Sequence, residues 1–295
     1  MRRLGWGALA ALAGPILVLG AIYLWSAAAA LDALDALFPG HGAVERVAAG
    51  VPFSPGPRGM LDVWAPRGGT HKPVLVFFYG GGWAYGRRQE YGFVAKAYAA
   101  RGFVVVIPDY RLVPGVRFPA FVDDAARAVR WTHANVARFG GDPGRIVLAG
   151  HSAGGYLAIM LALDRHYLQA AGVDPKVVRA AAGFAGPYDF HPFDDRRAIA
   201  AMGQAPDWHA TQPIEFARAD APPLLLATGA ADREVRPRNA INLAAQQKTL
   251  GSRTTQLRIY KGLGHNDMVM ALSRPFRWEA AVLDESVAFF ERNLR

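Results

Sequence analysis

A chain of 295 residues that is 52% hydrophobic and 19% charged can bury a sizeable core, which excludes an intrinsically disordered polymer. Its formal charge of +9 is scattered, with arginine pairs only at Arg2-Arg3, Arg87-Arg88 and Arg196-Arg197, so no basic stripe interleaved with aromatics points to nucleic acid. The absence of cysteine excludes disulfides and thiolate metal sites.

The first predicted element is N-terminal. Arg2 and Arg3 precede a stretch without charge from Leu4 to Leu31. That is longer than the roughly 20 residues a bilayer-spanning helix needs and much longer than the core of a secretory signal. Trp6 lies near one end and Tyr23 and Trp25 near the other, where interfacial aromatics favour sitting, and Asp32 and Asp35 follow. Residues 1–31 are therefore expected to be an uncleaved membrane anchor. The positive-inside rule then puts the rest of the chain outside the cytoplasm, on the periplasmic side. Ala27 to Ala30 also offer small-residue cleavage sites, and cleavage there would leave a secreted protein. Residues 32–58, rich in Gly, Pro and Ala, read as a linker and loops leading into a domain that occupies 59–295.

Within that domain, short apolar runs alternate with helical patterns. The runs are VLVFFY (74–79), FVVVIPDY (103–110), RIVLAG (145–150), RAAAGFAG (179–186), PLLLATG (223–229) and TQLRIYKG (255–262). Most are apolar on both faces, as strands of a sheet covered on both sides must be. Val122, Ala126, Val129, His133 and Val136 repeat at helical spacing, as do Phe276, Ala280, Leu283, Val287 and Phe290. The alternation predicts a mostly parallel sheet with helices on both faces, whose reactive groups collect in loops at the carboxyl ends of the strands.

Four motifs sit at such ends. GHSAGG (150–155) follows RIVLA and precedes the apolar YLAIMLAL, so a G-x-S-x-G falls between a strand and a helix. Gly150 and Gly154 suit a turn tight enough to lift the Ser152 hydroxyl out of the sheet. A serine hydroxyl is inert at neutral pH unless an oriented base takes its proton. His265, in GLGHNDM after the last run, is the expected base, and Asp232, in ATGAADREV after PLLLATG, its orienting carboxylate. Asp267 and Asp220 are rivals without that placement. The remaining histidines, His151 among them, are expected to be ordinary, and the HPFDD segment (191–195) lacks further ligands at metal-binding spacing. Gly80, Gly81 and Gly82 follow VLVFFY. A phosphate loop is excluded because neither G-x-x-x-x-G-K-[ST] nor G-x-G-x-x-G is present. Backbone amides without side chains around them suit a developing oxyanion instead, with Gly81, Gly82 and Ala153 as donors. This chemistry needs neither cofactor nor metal.

YGGGW, DYRLVPGVRFPAFVDDAARAVRW, GHSAGG, GAADREV and GLGH together resemble the α/β-hydrolase superfamily, and within it the hormone-sensitive-lipase-like carboxylesterases. The resemblance covers about Met60 to the C-terminus. It implies the α/β-hydrolase fold, a triad of Ser152, Asp232 and His265, an oxyanion hole of Gly81, Gly82 and Ala153, and small-molecule esters as substrates. Tyr79 departs from the family pattern, which has His before the glycines. A Tyr hydroxyl can hold that loop in its place.

Residues 186–221, between RAAAGFAG and PLLLATG, read as a small lid over a fairly open cleft. Trp83 and Tyr188 adjoin the loops and are the expected substrate-lining aromatics; Tyr85, Phe190 and Trp208 are weaker candidates. Arg87, Arg88, Arg233, Arg236 and Arg238 follow the glycine run and Asp232. They form either a solvated basic surface or a positive rim favouring acidic substrates. Ester hydrolysis through an acyl-enzyme is the leading function. The alternatives are an arylformamidase-like amide hydrolase and a non-catalytic binding protein of the same fold.

Overall fold

The computed structural model describes residues 26–40 and 42–295. The first helix among the described residues, α1, spans Ala27–Ala36, and β1 (Val44–Pro52), β2 (Met60–Pro66) and β3 (Lys72–Phe78) follow. Next come α2 (Gly92–Ala99), β4 (Val104–Pro108), α3 (Ala120–Asn135), β5 (Gly141–His151), α4 (Ala153–Leu163) and α5 (Arg165–Ala170). The chain ends with β6 (Val178–Phe184), α6 (Arg196–Met202), β7 (Leu224–Gly229), α7 (Arg238–Thr249), β8 (Gln256–Tyr260), α8 (Asp267–Met270) and α9 (Val282–Asn293).

The strands form one eight-stranded sheet in the order β1-β2-β4-β3-β5-β6-β7-β8. β1–β2 and β2–β4 pair antiparallel and all later neighbours pair parallel. This is the α/β-hydrolase architecture. Val74 to Phe78 on β3 and Ile146 to Ala149 on β5 are wholly buried, so the apolar runs have no solvent face to alternate with. All six expected strands are present. On α3, Val122, Ala126 and Val129 face the core as their spacing predicts, while His133 is exposed. The C-terminal pattern is only partly helical. Leu283, Val287 and Phe290 lie on α9, but Phe276 closes a 3-10 turn (Arg274–Phe276) ahead of it.

Residues 32–58 are not the linker expected from their composition. α1 runs to Ala36, and β1 occupies 44–52 as the edge strand. β1 carries two register shifts and is largely solvated, so neither an apolar run nor a clean alternation marks it in the sequence. β2 was likewise hidden, its Asp62 being a buried charge inside a strand.

α1 begins at Ser26, whose hydroxyl accepts from the Ala29 amide at 3.2 Å, and it packs against α2 and the 3-10 turn Arg88–Tyr91. A polar clasp fixes it there. Asp35 is fully buried and accepts from the Arg274 amide at 2.7 Å. Lys96 on α2 lies 3.2 Å from Asp32 and 3.5 Å from Asp35. The last residues of the uncharged N-terminal run, 26–31, thus belong to the folded domain. Of the expected anchor, residues 1–31, positions 1–25 lie outside the described residues, and among the described residues no helix is long and apolar enough to cross a membrane.

Removing one partner of a buried ion pair strands the other. Asp35→Ala is expected to lower the unfolding free energy in urea by about 3 kcal/mol, with α1 released first. A loss under about 0.5 kcal/mol, the usual effect of a surface change, would show that the clasp does not hold α1.

Candidate active site

β3 and β5 are parallel neighbours with Phe78 opposite Gly150, so the glycine run after β3 lies beside the turn after β5. In that turn Ser152 has φ 54° and ψ −122°, a left-handed conformation that costs a non-glycine residue about 1–3 kcal/mol. Its amide is held by the Phe184 carbonyl at 2.8 Å. The flanking glycines are sterically required. A Cβ on Gly150 would lie 2.2 Å from the Gly154 carbonyl oxygen, and one on Gly154 would lie 2.0 Å from that of Phe78.

His265, in the loop after β8, brings Nε2 to 2.9 Å from Ser152 Oγ and Nδ1 to 2.8 Å from Asp232 Oδ2. A carboxylate only accepts, so Nδ1 carries the proton and Nε2 is left free to accept from the serine. The other Asp232 oxygen accepts from the amides of Glu234 and Val235, both at 2.9 Å. The carboxylate is thereby satisfied on both oxygens while only 4% exposed. The rivals are elsewhere. Asp267 accepts from the Gly264 amide at 2.7 Å and shapes the loop, and Asp220 pairs with Arg165 and Arg218 at the surface.

Gly81 has φ +123° and Gly82 φ +58°; a Cβ on Gly81 would fall 2.4 Å from the Tyr85 carbonyl oxygen. A Cβ on Gly80 would fall 3.2 Å from Ser152 Cβ. Glycine here serves both the turn and the close approach to the serine. Among the described residues, the amides of Gly81, Gly82 and Ala153 have no protein acceptor, and all three residues line the cleft that also exposes Ser152 and His265.

The Tyr79 side chain supports this loop from below. Its ring lies between Tyr91 and Tyr110, with centroids at 5.4 and 4.7 Å. Its hydroxyl donates to Asp109 at 2.9 Å and accepts from Arg58, which also donates to the Gly86 carbonyl at 2.8 Å. Burial and the Asp109 charge hold the hydroxyl pKa well above its ordinary value, so it remains a donor. Arg88 completes the network by bonding Asp62 at 2.8 Å and Asp109. Burial opposes its charge, but these carboxylates outweigh burial and raise its pKa. Arg88 is therefore a half-buried structural cation rather than part of a rim.

Of the two expected lining aromatics, Trp83 lines the cleft while stacking on Phe190 and Phe121 at 6.0 Å. Tyr188 does not. It is fully buried, with its hydroxyl in the space left by Gly183 and Gly186, where a Cβ would sit 1.8 and 2.5 Å from it. Adjacency to a loop did not decide which way the ring points. Phe190 and Tyr85 line the cleft, whereas Trp208 stacks on His191 at 4.0 Å.

His151 was not foreseen as part of the site. It is buried, its Nε2 donates to the His265 carbonyl at 2.9 Å, and the two rings are 4.8 Å apart. A Cβ on Gly80 would come within 3.0 Å of its Nδ1. One imidazole thus touches the serine turn, the glycine loop and the base loop. Burial, then the nearby His265, push its pKa down from 6.5 to about 3, so it stays neutral. The only sequence signal was its position at the end of a buried strand, where a polar ring needs a partner. The segment between β6 and β7 contributes Arg197, whose side chain lies against Gly82 and reaches Glu234 at 3.8 Å.

His151→Leu removes the donor to a buried carbonyl, a change worth about 1–3 kcal/mol, and is expected to lower kcat about tenfold. His151→Gln, which keeps an amide donor, should recover most of it. A group whose folded pKa is depressed below 6.5 costs stability as pH falls from there toward 3. The native chain should therefore lose more stability over that window than His151→Gln does. Equal acid lability and equal kcat in all three chains would remove His151 from the site.

The BD-FAE family model matches residues 61–247, more than half of the chain. Esterase LipC of Mycobacterium tuberculosis is 34% identical over 196 residues, covering 60% of this chain and 49% of that protein. The chain thus spans about half the length of this curated relative. A hyperthermophilic esterase from the archaeon Pyrobaculum calidifontis shares 26% identity with a TM-score of 0.71, covering 88% of this chain and 89% of that one. Esterase B from Lactobacillus rhamnosis shares the fold, with a TM-score of 0.76 at 19% identity over 95% of this chain and 96% of that one. With the match to the family model reaching from β2 into α7, the chain belongs to the BD-FAE family, among the hormone-sensitive-lipase-like α/β-hydrolases.

Proposed function

We propose that the chain is a serine carboxylesterase that cleaves small to medium carboxylic esters through an acyl-enzyme. The observation that carries this reading is the unbroken chain Ser152–His265–Asp232, with contacts of 2.9 and 2.8 Å, opening on a cleft walled by Gly81 and Gly82. Ser152 Oγ attacks the ester carbonyl as His265 Nε2 takes its proton. Asp232 keeps the imidazole in the required tautomer and offsets the charge it gains. Negative charge on the carbonyl oxygen falls to the amides of Gly81, Gly82 and Ala153. His265 returns the proton to the departing alkoxide. Water, deprotonated by the same nitrogen, then releases the acid and restores the serine. A cleft of about 1280 Å³ has room for more than the reacting atoms. Neither the amide-cleaving nor the non-catalytic reading has an observation in its favour.

Ser152→Ala is expected to lower kcat/KM on a short p-nitrophenyl ester by on the order of 10⁵-fold. Retained hydrolysis would end the assignment. In a series of p-nitrophenyl esters of rising chain length run beside N-formyl-kynurenine, the esters should be the better substrates. A formamide turned over faster would transfer the reading to amide cleavage.

We further propose that the chain is anchored by residues 4–25, with the catalytic domain on the periplasmic side. The uncharged run and the flanking Arg2 and Arg3 support this. Cleavage at Ala27–Ala30 would cut inside α1, between the Ser26 cap and the buried Leu31, which speaks for retention. N-terminal sequencing of the membrane fraction should return the uncleaved start. A soluble protein beginning between residues 27 and 31 would contradict it.

A further inference from the structure

Beyond the reacting groups, the cleft has two walls of different chemistry. One is apolar and includes Ala27, Leu31 and Leu34 of α1 with Phe93, Met270 and Phe276. The other is the loop that follows Asp232, carrying Arg233 and Arg236, with Arg238 at the start of α7. All three arginines are exposed, and among the described residues none of their side chains makes an ion pair or hydrogen bond.

The acidic groups of the same lining are already engaged. Glu90 lies 3.0 Å from Arg87, while Asp195 and Glu234 lie 3.3 and 3.8 Å from Arg197. Asp194 on the lid is the one lining carboxylate without an ion pair among the described residues. The placement also runs against local electrostatics. α7 begins at Arg238 and has no acidic residue in its first turn, so Arg236 and Arg238 flank the end of a helix that disfavours cations. Three cations within six residues, unneutralised and on the wall of the cleft, exceed what a solvated surface needs.

Resting on the esterase reading, we propose that the substrate is a two-armed ester with one apolar arm along α1 and a carboxylate held by Arg233, Arg236 and Arg238. The guanidinium fork suits a planar carboxylate, which it grips with two parallel hydrogen bonds. A single exposed pair is worth little and is screened by salt. Three charges of one sign on a cleft wall act together, raising the local concentration and capture of an anionic substrate.

Two matched pairs of esters test this and locate the charge. The first is 4-nitrophenyl hydrogen adipate against its methyl ester, with the carboxylate on the acyl arm. The second is 3-carboxyphenyl hexanoate against 3-carbamoylphenyl hexanoate, with it on the alcohol arm. In one pair, kcat/KM for the anionic ester should exceed that for its neutral partner about tenfold at low salt, the ratio falling toward one in about 0.5 M sodium chloride. The triple variant Arg233→Gln/Arg236→Gln/Arg238→Gln should bring the low-salt ratio to about one. The inference is overturned, with the esterase reading intact, if the neutral ester is favoured or equal in both pairs, or if the ratio survives in the triple variant. Failure to cleave any of the four esters would overturn the esterase reading and this inference with it.

Discussion

Everything in the site depends on one backbone constraint, the left-handed conformation of Ser152 at the end of a buried strand. With φ at 54°, the chain leaves β5 and enters α4 without an intervening loop, and the hydroxyl is turned out of the sheet. A non-glycine residue holds such a conformation only where its surroundings over-determine it. Here they do so by contact, since Gly150 and Gly154 leave no room for side chains between β5, α4 and the end of β3. The same contact brings Gly80 against the serine, so the strained turn and the amide-bearing loop are placed by one packing requirement.

Around that turn, buried polar groups are organised so that each piece of the site is tied to another. His151 links the serine turn to the carbonyl of His265. Asp232 is held by two amides of its own loop before it meets His265. Tyr79 holds the glycine loop through its own hydroxyl. Its hydroxyl meets Asp109 and Arg58, and Arg58 holds the loop's far end at Gly86. Orphaned polar groups in such a place are costly, which makes a satisfied network a source of rigidity.

β3, β5 and β7 were legible because both of their faces are buried, which writes a continuous apolar run into the sequence, whereas β8 is a half-exposed edge strand marked only by TQLRIYKG. The serine and the acid were legible because each follows such a run directly, and the base because it follows the last strand. Where the signal failed, the reason was local. β1 is a bulged, solvated edge, so its residues alternate poorly and resemble a linker. The first half of α1 lay hidden at the end of a longer uncharged run, and only the spacing of Asp32 and Asp35 in its second half, which meet Lys96, hints that it turns back onto the domain. Tyr188 turns inward because Gly183 and Gly186 create an internal space that sequence proximity does not reveal. His151 carries no local signal because its partner is a carbonyl 114 residues away.

The central claim is that one serine, activated by geometry, forms a covalent bond with the substrate's acid half. Treating the full-length protein with a fluorophosphonate and mapping the adduct by peptide mass spectrometry tests it most directly. The account predicts a single adduct on the peptide containing Ser152, formed in proportion to the loss of ester hydrolysis and absent from Asp232→Asn/His265→Ala protein over the same time. An adduct on another serine, or inactivation without any adduct, would contradict it.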